Sequence, residues 1–217
     1  MCFYKESGGR KYDISEQLLL DCAYGQNTCF GCHGNAIEGL LIWAVKNNPT
    51  HGLLLEENNY PYLVNPPEPP SCDLPDISSQ LFINDMRLDN LTYTYYGNER
   101  MLKTLVFQHG AVVVSIQEST KIYYGVQAGK IFEGCSNNPN AAYDHAVAVV
   151  GYGVSKNNVP YWIVKNSWGS DWGDKGFFFL RRGRGDCGIG KTMAVVTCSA
   201  ITEEDWGRPS AEEPDAY

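Results

Sequence analysis

The sequence predicts an α+β fold, with helices concentrated in its first half and strands in its second half. Apolar residues recur every three or four positions between residues 36 and 47, which is typical of a helix with one buried face. The second half carries short runs of β-branched and aromatic residues separated by polar turns. With 217 residues, 43% of them hydrophobic, the chain can form one large core or two small ones.

Three helices are predicted from the residues at their ends. Ser15 can cap the first, because its hydroxyl accepts a hydrogen bond from the first turn, where Glu16 is also favourable. Asn98 can cap the third, which runs to about Gln108 and ends at Gly110. The second covers residues 36–47, and its predicted apolar face consists of Ile37, Leu40, Leu41, Ala44 and Val45.

The remaining segments are predicted as strands, loops or tails. The predicted strands cover residues 81–83, 91–96, 111–116, 130–132, 146–150, 161–164, 177–181 and 193–197. Residues 1–4 are expected to end a helix that begins upstream, and residues 66–70, with four prolines, form an extended loop. Residues 201–217 are acidic and contain proline, so they are predicted to form a flexible tail.

Charge and cysteine content restrict the class of protein. The formal net charge is −8 and no stripe of Lys and Arg occurs, which argues against a nucleic-acid partner. No apolar run is long enough to cross a membrane. Eight cysteines and one glycosylation sequon, Asn90-Leu91-Thr92, indicate an oxidising compartment, although residues 1–6 do not form a signal peptide. We therefore expect the natural protein to have a further amino-terminal part.

A predicted hairpin brings a histidine and an asparagine together. The strands at 146–150 and 161–164 are joined by a polar turn at 155–158 and should pair antiparallel. His145 precedes the first strand and Asn166 follows the second, so pairing places the two residues side by side. A histidine held by an amide is the base half of a Cys-His-Asn catalytic device. The alternative is a histidine with a purely structural role.

Ordered motifs resemble a known family. They are Ser-Glu-Gln-Leu-Leu-Leu-Asp-Cys at 15–22, Gly-Cys-His-Gly-Asn at 31–35, Asp-His-Ala-Val at 144–147, Lys-Asn-Ser-Trp-Gly at 165–169, Trp-Gly-Asp-Lys-Gly-Phe at 172–177 and Cys-Gly-Ile at 187–189. Their order resembles the papain-like, or cathepsin-like, cysteine peptidases across roughly residues 10–198. The resemblance implies two lobes: a helix-rich lobe over residues 1–97, truncated at its amino terminus, and an antiparallel, β-barrel-like lobe over residues 98–200.

The nucleophile of that family is not recognisable in this sequence. The family carries it in a Gln-x5-Cys-x-x-Cys-Trp block, which should precede the motif at residues 15–22. The sequence therefore holds the base and the orienting amide, with neither the nucleophile nor the oxyanion-hole glutamine. Cys2 is a poor substitute, because no tryptophan or glutamine of that pattern surrounds it. We expect this exact chain to be inactive.

The resemblance assigns roles to other residues. His145 takes the thiol proton, which lowers the pKa of the thiol below its free value near 8.5, and Asn166 fixes the far ring nitrogen. Trp168 covers that hydrogen bond, although ordinary packing is an equal alternative, and Trp172 forms part of the wall on the leaving-group side. The other implied substrate-binding positions are Gly34, Asn35, Ala36, Ile37, Ala146 and Thr192. Asn35 replaces a family glycine and could narrow the approach of a peptide, whereas Ile37 could simply face the core.

The resemblance also sorts the cysteines. It implies disulfides Cys22–Cys72 and Cys135–Cys187, and it leaves Cys32 without its usual partner and Cys2, Cys29 and Cys198 unassigned. The segment Cys29-Phe30-Gly31-Cys32-His33 invites a metal or redox interpretation, but no second ligand pair follows at suitable spacing. No cofactor or metal is expected.

Three hypotheses on function remain. The first is a papain-like endopeptidase, lysosomal or extracellular, of which this chain is the carboxy-terminal part. The second is a non-catalytic homologue that binds peptides or proteins, and the third is a structural remnant. The resemblance implies peptide or protein substrates and cystatin-like inhibitors as partners, with neither nucleic acid nor membrane among them.

Overall fold

A computed structural model describes residues 6–25, 30, 33–34, 36–47, 54–63, 70–74, 83, 86–117, 119–135 and 140–201. The chain forms two compact units. The first consists of Met1–Leu91 and Val196–Tyr217, and the second of Thr92–Val195. The boundary predicted from the sequence lies between residues 97 and 98, slightly further along the chain than the boundary between these units. The prediction also did not place the residues from Val196 onward in the first unit.

The first unit contains two helices, α1 (Glu16–Cys22) and α2 (Ile37–Lys46). Helix α1 begins as predicted, because the Ser15 hydroxyl accepts a hydrogen bond from Leu18 N at 3.0 Å. The predicted apolar face of α2 is partly wrong, since Trp43 and Ala44 are buried whereas Leu41 and Val45 are only half-buried. One core cluster contains Leu18, Leu54, Leu55, Ile83, Met86 and Cys198, and a second contains Ala23, Trp43 and Ala44.

Strands dominate the rest of the chain. In chain order the elements are β1 (Met86–Thr94), α3 (Glu99–His109), β2 (Val112–Gln117), α4 (Ser119–Gly125), β3 (Ile131–Phe132), β4 (Tyr143–Val154), β5 (Pro160–Lys165), β6 (Phe177–Arg181), a 3-10 turn (Asp186–Gly188) and β7 (Met193–Ala200). Helix α3 is bounded as the sequence predicts. Asn98 Oδ1 accepts from Met101 N at 3.0 Å, and Gly110 closes the helix with φ of 80°.

The strands form one sheet of order β1-β7-β2-β4-β5-β6-β3. Neighbours are antiparallel from β2 through β4 and β5 to β6, whereas β3 lies parallel to β6. In the described part of the chain the sheet has two end strands, β1 and β3. It is therefore open, and the expectation of a barrel-like second lobe is corrected in that respect, while the predicted α+β class is confirmed.

The core of the second unit lies against the central strands. Its fully buried residues include Val114, Ile116 and Val149 from β2 and β4, together with Trp162 and Leu180 from β5 and β6. Alternate residues of β2 are buried, which is the period of a half-buried strand. This packing fixes the strands that carry the site.

Several local predictions fail or fall outside the described residues. Helix α4 and the 3-10 turn were not predicted, and Ile83 does not lie in a strand. Strand β1 begins at Met86, well before the predicted start at Leu91. The predicted helix end at residues 1–4, most of the proline loop and almost all of the acidic tail lie outside the described residues.

Both implied disulfides are present. Cys22 is bonded to Cys72 and Cys135 to Cys187, spanning sequence separations of 50 and 52 residues. Cys198 is also disulfide-bonded. Every cysteine in the described part of the chain is therefore in a disulfide, and Cys2, Cys29 and Cys32 lie outside that part.

Candidate active site

The hairpin of β4 and β5 places His145 next to Asn166. Ala148 pairs with Lys165, so Asn166, the residue after β5, continues along β4 towards His145, the third residue of that strand. The register shifts between Val149 and Gly151, which leaves one extra residue on β4. The turn between the strands is closed by Ser155 N donating to Val159 O at 2.9 Å. The predicted hairpin is thus present, and it delivers both side chains to one end of the sheet.

The contact between the two side chains is a short hydrogen bond. His145 Nε2 lies 2.8 Å from Asn166 Oδ1, and Ser167 N donates to the same oxygen, also at 2.8 Å. The Ser167 N–H identifies the atom facing it as the amide oxygen, because an amide nitrogen there would set donor against donor. His145 Nε2 must therefore carry a proton and donate. In the neutral imidazole this leaves Nδ1 as the atom with the lone pair.

Asn166 is held in a nearly closed environment. Its exposed fraction is 7%, and its backbone N donates to Gly176 O at 2.9 Å. Its Nδ2 atom is buried and has no hydrogen-bond partner in the described part of the chain. The side chain is thus positioned through its oxygen alone, by the hydrogen bonds to His145 and from Ser167 N.

Aromatic rings cover the histidine. Trp168 stacks on the His145 ring with centroids 4.6 Å apart and an angle of 19° between the planes. Trp172 and Tyr123 each meet Trp168 edge-on, at 4.9 and 5.3 Å. Trp172 Nε1 also donates to Tyr123 O at 3.3 Å, which ties the end of α4 to this cluster. Trp168 thus covers one face of the imidazole, and the other two rings pack against Trp168.

Helix α4 is anchored beside the histidine at its other end as well. Ser119 donates to the Asp144 carboxylate through both its backbone N, at 3.2 Å, and its hydroxyl, at 2.9 Å. Gln117 Nε2 donates to Ala141 O at 2.7 Å, across the register irregularity where β2 ends. Sequence reasoning missed both anchors, as well as Tyr123. Short polar helices such as α4 lack the apolar period that would reveal them.

Ala146 and Thr192 lie on opposite sides of Ser115 in β2. Ser115 is the register partner of Ala146, and Ser115 N donates to Thr192 O at 3.2 Å. Ala146 is exposed and Thr192 is half-buried. Both predicted positions therefore belong to the second unit and border the same residue of β2, and both carry small side chains.

The other predicted substrate positions belong to the first unit. Gly34 is exposed and has φ of 101°, a conformation that favours glycine. Its carbonyl oxygen accepts from Phe30 N at 3.3 Å. Ala36 caps α2, and Ile37 is half-buried and is not a member of the described core clusters. Asn35 lies outside the described residues.

The described residues contain no group of three or more histidine, cysteine, aspartate or glutamate side chains placed to hold a metal ion. In the same part of the chain, no helix has the length and apolar character needed to span a membrane.

The chain is similar in sequence to a family of proteases. A model described as "Papain family cysteine protease" matches residues 1–197. A cysteine endopeptidase, RepA, from Oryza sativa subsp. japonica is 34% identical over 186 residues, covering 83% of this chain and 44% of that protein. A viral cathepsin from Epiphyas postvittana nucleopolyhedrovirus is 36% identical over 185 residues, covering 85% and 50%. The chain thus spans about half the length of these curated relatives.

The fold is similar to solved structures as well. Digestive procathepsin L 3 from the larval midgut of Tenebrio molitor superposes with a TM-score of 0.73 at 27% identity. The match covers 90% of this chain and 59% of the procathepsin. The sequence motifs and the fold therefore point to the same group of proteins.

Proposed function

Because the chain belongs to the papain family of cysteine proteases, we propose that it forms part of a cysteine-type peptidase in which His145 is the base and Asn166 its orienting partner. The observation that carries this proposal is the 2.8 Å contact between His145 Nε2 and Asn166 Oδ1 beneath the Trp168 ring. The substrates proposed are peptides or proteins.

The hydrogen-bond geometry fits the base role. With its proton held on Nε2 by Asn166, His145 presents Nδ1 as an acceptor for a thiol proton. The thiolate that results attacks the peptide carbonyl, and the imidazolium then gives the proton to the departing amine. Trp168 limits the access of water to the Asn166 bond. Asn166 thereby stabilises both the reactive tautomer and the imidazolium.

Substrate contacts are proposed on both units. Ala36 and Ile37 of the first unit and Ala146 and Thr192 of the second are proposed as specificity positions. Their side chains are small or medium-sized and mostly apolar, which favours a medium apolar residue in the substrate. Trp172 is proposed for the leaving-group side, and Gly34, Asn35 and Ala36 for contact with the peptide. Cystatin-like inhibitors are proposed as partners from the family alone. The disulfides support a lysosomal or extracellular location for the natural protein.

We further propose that the 217-residue chain does not hydrolyse peptide bonds on its own. Each described cysteine is disulfide-bonded, and none of the others has the sequence context of the family nucleophile. The same observation favours the second candidate, a non-catalytic homologue that binds peptides. The two candidates differ in what the gene encodes upstream of Met1.

Two experiments test these proposals. The chain and its His145→Ala variant are treated with a thiol-directed epoxide and the labelled cysteines are mapped. We expect no labelling that depends on His145, whereas labelling of Cys2 that disappears in the variant would overturn the proposal of inactivity.

The second experiment is to sequence the gene upstream and express the longest open reading frame. An in-frame Gln-x5-Cys-x-x-Cys-Trp block, with peptidase activity that is lost in His145→Ala, is the result expected of the peptidase. A promoter and start site directly before Met1, with no such block, would favour the peptide-binding homologue.

A further inference from the structure

Strand β1 carries the sequence Asn90-Leu91-Thr92, the Asn-x-Thr signal for attachment of an N-linked oligosaccharide. The peptidase site uses none of these residues. In the 217-residue sequence this is the one place where asparagine is followed, after a residue other than proline, by serine or threonine. A signal of three residues occurs often by chance, so its structural setting has to be considered.

The setting leaves the signal accessible. Asn90 and Thr92 are both exposed, while Leu91 between them is half-buried, as the alternation of a strand requires. β1 is an end strand of the described sheet. β1 is hydrogen-bonded to β7, and the Asn90 carbonyl oxygen also accepts from Thr197 Oγ1 at 3.4 Å. Within the described residues, the Asn90 side-chain amide forms no hydrogen bond that an oligosaccharide would have to break.

The surface beside Asn90 also has room for sugars. An open groove of about 610 Å³ is lined by Val45, Arg87, Leu88, Asp89, Asn90, Thr197 and Ser199. Its polar side chains already form a network, in which Ser199 Oγ accepts from Arg87 Nε at 3.0 Å and donates to Asp89 Oδ1 at 2.9 Å. Hydroxyl, carboxylate and guanidinium groups are suitable hydrogen-bond partners for sugar hydroxyls.

From these observations we propose that Asn90 is an N-glycosylation site. The donor is a polyprenyl-diphosphate-linked oligosaccharide of the secretory pathway. A bond forms between Asn90 Nδ2 and the anomeric carbon, and the bond from that carbon to the diphosphate oxygen breaks. The diphosphate leaves with the electron pair, and the amide nitrogen loses one proton. The disulfides of the chain require an oxidising compartment, which is where this transfer takes place.

The test expresses the 217-residue chain behind a secretion signal in cultured insect cells, and compares the mass of the total cellular and secreted protein before and after a peptide-N-glycosidase. The glycosidase converts a glycosylated asparagine into aspartate. When this digestion is carried out in heavy-oxygen water, the new aspartate carries the heavy oxygen, which identifies the modified position. We expect one oligosaccharide, mapped to residue 90. Because transfer precedes secretion, the cellular pool reports the result even if the chain is retained.

Matched variants separate the signal from general effects. Asn90→Gln and Thr92→Ala should abolish the mass shift, and Thr92→Ser, which keeps the hydroxyl, should retain it. Asn157→Gln, a change of the same kind at an exposed position outside any such signal, should retain it fully. An unmodified wild-type chain, or an oligosaccharide that persists in Asn90→Gln, would overturn the proposal. Neither result bears on the peptidase assignment.

Discussion

Glu99 connects the start of α3 to β5, the strand that Asn166 follows. Its Oε2 atom accepts hydrogen bonds from Trp162 Nε1 and from Gly183 N, both at 2.8 Å, and Oε1 accepts from Gly185 N. Trp162 is completely buried, with an exposed fraction of 0%, so its indole N–H has no access to water. One carboxylate therefore holds β5 and the loop after β6 against the helix.

Replacing Glu99 with alanine should destabilise the protein substantially. The indole N–H of Trp162 would be left buried without an acceptor, which lowers the free energy of unfolding by about 1–3 kcal/mol. The two glycine N–H groups can bond to water instead, so each lost bond lowers it by about 0.5 kcal/mol. Losing an acidic residue from the first turn of α3 adds about 0.3–1 kcal/mol. We therefore expect the free energy of unfolding to fall by about 2–5 kcal/mol. That is a large part of the 5–15 kcal/mol typical of a domain.

Urea unfolding followed by tryptophan fluorescence measures this change. Glu133→Ala is the matched control, because it also removes one carboxylate. Its ion pair with Arg181, at 2.7 Å, lies at the surface, where such pairs contribute less than about 1 kcal/mol. Glu99→Gln should lie between the two, since its oxygen can still accept from Trp162. Equal losses in Glu99→Ala and Glu133→Ala would refute the reasoning.

Two further predictions concern single groups. Asn166→Ala should release the proton from its fixed position on His145 Nε2. Nitrogen NMR of the neutral ring should then show both tautomers, where the wild type shows one. An unchanged spectrum would contradict the assigned hydrogen bond. Burial, together with a hydrogen bond to a nearby carboxylate, raises the pKa of Tyr60 from 10.0 to about 12. Between these values the unfolded chain loses the phenol proton while the folded chain keeps it, so the free energy of unfolding should fall as pH rises from about 10 to about 12. Urea unfolding across this range should show a smaller fall in Tyr60→Phe, and an equal fall would contradict the pKa shift.

Features set by local chemistry were predictable from the sequence. Ser15 and Asn98 cap their helices because the hydrogen bonds involved reach only three residues along the chain. The hairpin carrying His145 and Asn166 was predictable because a single polar turn joins its two apolar strands. These interactions do not depend on the remainder of the fold.

Features set by distant partners were not predictable. The early part of β1 contains Asp89, a residue type that is depleted in strands. Its carboxylate accepts from Arg87 and from Ser199, which lies more than a hundred positions away. The role of Glu99 likewise depends on Trp162, at a separation of 63 residues. No short window of sequence contains both members of such pairs.

The contacts that prepare His145 all lie within the second unit. Asn166, Ser167 and Trp168 follow β5, and Asp144 is held by Ser119 at the start of α4. None of these contacts requires a cysteine nucleophile, so His145 and Asn166 should adopt this arrangement even in a chain that cannot hydrolyse peptides. If the chain is inactive but keeps the His145 proton on Nε2, the defect lies in the nucleophile. If the chain is inactive and both tautomers of His145 are populated, the defect lies in the base.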